Sequence, residues 1–143
     1  MATAINSYQD LKVWQRSMDL AVECYGLTKE FPKEEIYGLT SQVRRSAASI
    51  AANIAEGYGR ESTGAYVHHL KIAQGSLKEL ETHLILSTRI EIATVSQTQL
   101  ALSLIAEVGK MLWSLIRRLQ DGRNEHENRK LHYCLLPTGL CLQ

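Results

Sequence analysis

Apolar residues recur along this chain at intervals of three and four in four separate segments, a period that predicts helices rather than strands. The segment Leu39 to Arg60 is the most informative. At about 100° per residue, Leu39, Val43, Ala47, Ile50 and Ile54 share one side of a helix. Ala48, Ala51, Ala52 and Ala55 cover much of the opposite side with methyl groups, and a narrow band between carries Gln42, Arg45, Ser49, Asn53 and Glu56. A helix apolar on two sides is expected to be buried on two sides. Gly57 and Gly59 predict its end, since glycine is favoured just past a helix terminus.

Upstream, Ser7-Tyr8-Gln9-Asp10 has the form of a capped start with an acid in the first turn. The helix that follows is predicted over residues 8–29 and bears two stripes. Leu11, Trp14, Met18, Val22 and Tyr25 form the one assigned to the bundle core. Val13, Leu20, Cys24 and Leu27 form the other, nearly opposite, and are assigned with Ala48, Ala51 and Ala55 to an oligomer interface. Phe31-Pro32 ends this helix, because the residue before a proline avoids helical backbone. The organising helix is placed at 38–56.

A third helix, 63–89, takes Ser62 or Thr63 as its cap and has the seam Tyr66, Leu70, Ala73, Leu77, Leu80 and Leu84. Gly75 interrupts it, which predicts close approach by a neighbour. A fourth, 97–120, starts at a capping pattern of Ser96 and Gln99 and is seamed by Leu100, Leu104, Val108, Met111, Leu115 and Leu119. Trp113 and Ile116 fall off that seam, and Gly122 is read as the stop. Short links between four amphipathic helices predict an all-α, antiparallel up-down-up-down four-helix bundle over residues 1–120. Residues 121–143 change character, charged to Lys130 and then apolar, and are read as a C-terminal tail, mobile or docked on a neighbour.

Composition narrows the class. The 143 residues suffice for one domain with a real core. Two prolines and abundant helix formers agree with helix. A formal charge of +1 gives no bulk attraction to nucleic acid, so such binding would need a local patch. No apolar run is read as a membrane span, no signal-peptide core opens the chain, and the expectation is a cytoplasmic protein. Cys24, Cys134 and Cys141 are odd in number and scattered, so neither a disulfide framework nor a zinc spacing is expected.

Several separated motifs carry a family resemblance. Phe31-Pro32-Lys33-Glu34-Glu35, Tyr37-Gly38-Leu39-Thr40, Gln42-Val43-Arg44-Arg45, Ser49-Ile50 and Asn53-Ile54-Ala55-Glu56-Gly57 occur in order. Leu11-Lys12-Val13-Trp14 and Tyr25 precede them, and Ala73-Gln74-Gly75-Ser76 and Glu79-Leu80-Glu81-Thr82 follow. Over about residues 8–120 the chain resembles the "four helix bundle protein" family, also called the 23S rRNA intervening-sequence protein family. The resemblance implies small bacterial proteins that assemble as ring-like homopentamers and have no settled biochemical role. Some members are encoded within insertions in ribosomal RNA genes. A related protein accompanies the reverse transcriptase of diversity-generating retroelements and looks like a basic, nucleic-acid-binding pentamer.

Candidate chemistry is sparse. Arg45, Ser49, Asn53 and Glu56 are placed to face Ser76 and Glu79, which reads as a structural polar network fixing helix pairing. His69, Ser76 and His83 are spaced by seven, with Glu79 four before His83, but carboxylate-bridged bundle sites need Glu-x-x-His pairs on two helices. None occurs, so no metal or cofactor is expected. The glycines at 57 and 59 lack the strand and the Gly-Lys-Ser/Thr ending of a phosphate loop. The chain is therefore read as no enzyme but a homo-oligomeric scaffold with a protein partner. The alternative is electrostatic RNA or DNA binding by the assembled ring through Arg44, Arg45, Lys71, Lys78, Lys110, Arg117 and Arg118.

Overall fold

The computed structural model describes residues 4–134, with side-chain surroundings through residue 127. Among them there are no strands. A 3-10 turn (Tyr8–Asp10) precedes α1 (Lys12–Thr28), a second (Lys33–Glu35) precedes α2 (Leu39–Tyr58), and α3 (Thr63–Arg89) and α4 (Val95–Cys134) complete the fold. Each helix packs on its neighbours in the chain and α4 returns against α1, while the backbones of the diagonal pairs α1–α3 and α2–α4 do not approach closely.

Local chemistry explains where the helices begin. The Ser7 hydroxyl accepts from the Gln9 N–H at 3.2 Å, and the Asp10 carboxylate accepts from the Ser7 N–H at 3.0 Å. This reciprocal cap holds a single 3-10 turn, because Leu11 is extended (φ −72°, ψ 121°) and divides it from α1. At the α2 start the Glu35 carboxylate accepts from the Leu39 N–H at 2.9 Å, supplying negative charge where free helix N–H groups gather. The Ser62 hydroxyl accepts from the Ala65 N–H at 3.1 Å and caps α3. For α4 the reciprocal cap is Thr94 with Gln97 (3.1 and 2.9 Å), two residues before the Ser96 pattern. Helix α3 ends in a Schellman pattern in which Ile92 N–H reaches Ser87 O and Glu91 N–H reaches Thr88 O. Glu91 sits there with φ +63°, a left-handed position that glycine normally fills.

The core corrects the expected faces of α1. Val13, Leu20, Cys24 and Leu27 line the interior of the chain, with Leu20 and Cys24 fully covered, so they are unavailable to an oligomer interface. Of the stripe assigned to the core, Leu11 is buried and Trp14 half-buried, but Met18, Val22 and Tyr25 are 40%, 70% and 45% exposed. Both stripes have helical period, and period does not say which one faces inward. On α2 the inner line is as expected, and Ala51 is also buried. Ala55 is half-buried, whereas Ala48 and Ala52 are exposed.

The seam of α4 is turned by one residue. Ala101, Ile105, Val108, Leu112 and Ile116 are buried, so Ile116 belongs to the core, while Leu104, Met111, Leu115 and Leu119 form its half-buried flank. Leu100 and Trp113 remain exposed. Gly122 does not stop α4, since one exposed glycine costs a long helix only about 1 kcal/mol. The helix continues through the segment read as a tail to Cys134, and residues 135–143 lie outside the described residues. Contrary to the expectation that no span is present, a stretch of α4 within Val95–Glu127 is long and apolar enough to cross a bilayer by length and composition.

Glycines carry two further corrections. Gly57 lies inside α2, and Gly59 after it is right-handed (φ −76°), so neither is a left-handed terminator. A Cβ at Gly57 would stand 2.8 Å from His69 Cβ and 3.0 Å from Tyr66 Cδ2, so glycine here permits close contact of α2 with α3. Gly75, expected to meet a neighbour, has open space around it within the chain.

Candidate functional site

A polar seam runs along the junction of α2 and α3. The Ser49 and Ser76 hydroxyls lie 2.9 Å apart. Asn53 donates through Nδ2 to the Ser49 carbonyl at 2.9 Å, and its Oδ1 lies 3.4 Å from His69 Nδ1. Glu56 holds Arg60 at 2.7 Å and approaches His69 Nδ1 at 3.9 Å. At the other end, Glu79 lies 3.6 Å from Arg45 and 3.5 Å from His83 Nε2. All six residues expected to form a network are thus on this seam, joined by His69 and His83.

The two histidines are what the sequence reading left outside the network. Their seven-residue spacing with Ser76 was the available signal, because it puts all three on the α3 edge that the α2 polar band faces. The arrangement satisfies polar groups at a helix junction: no buried side-chain nitrogen or oxygen lacks a partner among the described residues. Its serine hydroxyls bond to each other and Ser49 to Asn53, with no histidine base bonded to either, and no cluster of three or more metal-ligating side chains occurs among the described residues. Burial and the neighbouring Glu23 push the Cys24 thiol up to about 12, which makes it inert rather than reactive. Tyr66 is also pushed up, by burial first and by Tyr58 second.

The basic residues do not converge on one face. Arg44 stacks over the Tyr25 ring at 4.9 Å and donates through Nε to the Thr28 hydroxyl at 2.8 Å, which ties α2 to α1. Arg45 is drawn to Glu79 and Lys78 to Glu81 at 2.8 Å. Arg117 stacks over Trp113 at 4.9 Å, and Arg118 donates to the Ser114 hydroxyl at 3.4 Å. Lys71, Lys110, Arg117 and Arg118 have no carboxylate partner among the described residues. Lys78 and Lys110 border one groove between α3 and α4, but Arg44 and Arg45 stand on α2, which packs on α3 and lies diagonal to α4.

More conspicuous is apolar surface that the chain leaves uncovered. Val22 on α1 and Val95, Leu100 and Trp113 on α4 are each more than half exposed, although every helix already has a covered inner face. A contiguous patch of such surface marks an interaction region, and these residues are the candidates for one.

Residues 9–114 match the family described as 23S rRNA-intervening sequence protein. The fold is also similar to the crystal structure of a protein with unknown function from the S23 ribosomal protein family of Bacteroides thetaiotaomicron. The two are 29% identical and superpose with a TM-score of 0.66, covering 73% of this chain and 97% of that one. No match was found among curated proteins.

Proposed function

The chain belongs to the 23S rRNA-intervening sequence protein family, and we propose that it serves as a non-enzymatic, homo-oligomeric helical scaffold. The observation that carries this reading is the uncovered apolar surface on α1 and α4, present after the chain has closed its own core. Its four helices run up, down, up and down. Support comes from the α2–α3 pairs Arg45–Glu79, Ser49–Ser76 and Asn53–His69, in which one number rises as the other falls. The bundles assemble into a ring, a pentamer by the resemblance already described, and the apolar stretch of α4 packs in protein rather than lipid. Copurification of the native protein, with and without nuclease, tests the reading. A stable self-assembly that retains a protein partner after nuclease supports the scaffold, and a partner-free monomer refutes it.

A second reading, sequence-nonspecific nucleic-acid binding by the ring, has one favouring observation. Lys110, Arg117 and Arg118 gather on α4 without carboxylate partners among the described residues. Repeated around a ring they would engage several phosphates, so affinity should fall steeply as salt rises and depend little on base sequence. Filter binding of RNA and of single- and double-stranded DNA at two salt concentrations tests it. Joint replacement of Lys71, Lys78, Lys110 and Arg117 by glutamate should abolish retention, and undiminished binding by that variant would rule it out.

A further inference from the structure

A groove of about 680 Å³ follows the junction of α1 with α4, a volume within the range of small-molecule sites. Its floor is apolar. Leu11 and Val13 are buried on one wall, Met111 and Leu115 are half-buried on the other, and Ile5 borders it. Three cations stand over that floor, Lys12 on α1 and Lys110 and Arg118 on α4. None of the three has a carboxylate partner among the described residues. Arg118 donates instead to the Ser114 hydroxyl, at 3.4 Å.

The acids close by are already engaged. Asp10, the carboxylate on the lining, accepts from the Asn6 and Ser7 N–H groups at 2.9 and 3.0 Å. In a smaller adjoining cleft, Asp19 and Glu107 are both held by Arg16, at 3.3 and 3.0 Å. Lys12 and Met111 line both hollows, which sets Lys12 across from the α4 turn that carries Lys110. Asp10 keeps its charge, so the lining carries three positive charges against one negative. Such a groove draws an anion to its rim and gains further when its floor is dried. A polyanion would satisfy the rim and leave the floor wet, and a neutral apolar molecule would do the reverse.

We propose that the α1–α4 groove binds a long-chain carboxylate. The head group sits between Lys12 and Lys110, and the alkyl chain runs over Met111, Leu115 and Leu11 towards Ile5. From Lys110 to Arg118 the wall is about 12 Å long at the helical rise, room for an extended chain. The stems of the lysines are themselves apolar and lengthen the walls while their ammonium groups reach the head. The groove is complete in one chain, so the site depends neither on assembly nor on nucleic acid.

Calorimetric titration of the full-length protein with octanoate and with dodecanoate, below their micellar concentrations, tests this. Saturable binding of one dodecanoate per chain is expected. Each buried methylene is worth at most about fourfold, so dodecanoate should bind tighter than octanoate by about tenfold or more. Dodecyltrimethylammonium, with the same tail and a cationic head, should show no saturable binding. Lys12→Glu and Lys110→Glu should each weaken dodecanoate about tenfold, while Lys29→Glu, at the far end of α1, should leave it unchanged. Absence of saturable dodecanoate binding, the result expected if a second copy covers the groove, would overturn the proposal. So would equal affinity for the two carboxylates, equal binding of the cationic amphiphile, or an equal loss in Lys29→Glu.

Discussion

The same substitution at two glycines should change stability in opposite directions. In Gly57→Ala the new methyl carbon would enter at 2.8 Å from His69 Cβ, 3.0 Å from Tyr66 Cδ2 and 3.2 Å from the Tyr66 carbonyl oxygen. The first and last of these atoms belong to or adjoin the α3 backbone, so α3 itself must shift. Overpacking of this kind costs about 1–3 kcal/mol. Replacing a helical glycine with alanine returns about 0.5–1 kcal/mol, which leaves Gly57→Ala destabilised by about 1 kcal/mol at mid-range and by at most about 2.5 kcal/mol. Gly75→Ala meets no atom within 4 Å and should keep the whole gain, about 0.5–1 kcal/mol. With a urea slope of about 2 kcal/mol per molar, the midpoint should fall by about 0.5 M, and by at most about 1.25 M, for Gly57→Ala and rise by about 0.3–0.5 M for Gly75→Ala. Urea unfolding followed by circular dichroism, at one fixed subunit concentration because association contributes to stability, measures both. A Gly57→Ala protein as stable as the unmodified one would mean that α2 and α3 do not approach as described.

Leu20→Ala should cost about 3–5 kcal/mol and Val22→Ala less than about 0.5 kcal/mol within one subunit, read by urea unfolding below the association range; equal effects would undo the assignment of the α1 faces. Glu91→Gly should add about 1 kcal/mol by relieving a left-handed non-glycine residue, seen as a raised Tm, and a fall would show the strain to be absent. Cys24 favours the neutral thiol in the folded state, its pKa moving from 9.0 up to about 12. The unfolded chain therefore loses its proton first, and the contribution of this group to stability declines as pH rises from about 9 towards 12. Comparison with Cys24→Ala across that window isolates the effect, and parallel pH profiles would contradict it.

The sequence located helices better than it oriented them. Ser62 announced the start of α3, and Pro32 forced the break after α1, because caps and prolines act through local backbone chemistry. The inward face of α1 was not legible. Met18–Val22–Tyr25 and Leu20–Cys24–Leu27 repeat equally well, and only the packing of α2 and α4 against one of them decides. On α4 a single residue of phase, about 100°, separates the Leu100–Leu104 line from Ala101–Ile105, and the smaller alanine gave the weaker signal although it is the buried one. Gly122 looked like a terminator by composition, yet the helix tolerates it. The α2 half of the polar seam and the Glu79–His83 contact within α3 could be read from spacing alone, whereas the part of His69 depends on the register of α3 against α2, which only the tertiary contacts determine.

Sedimentation of the full-length protein at micromolar concentration bears most directly on whether exposed apolar faces make this chain an oligomeric scaffold. The account predicts one assembled species whose mass is a multiple of the 16.1 kDa chain, fivefold if the ring is the pentamer that the resemblance implies. A single species at the mass of one chain, unchanged across that concentration range, would contradict it.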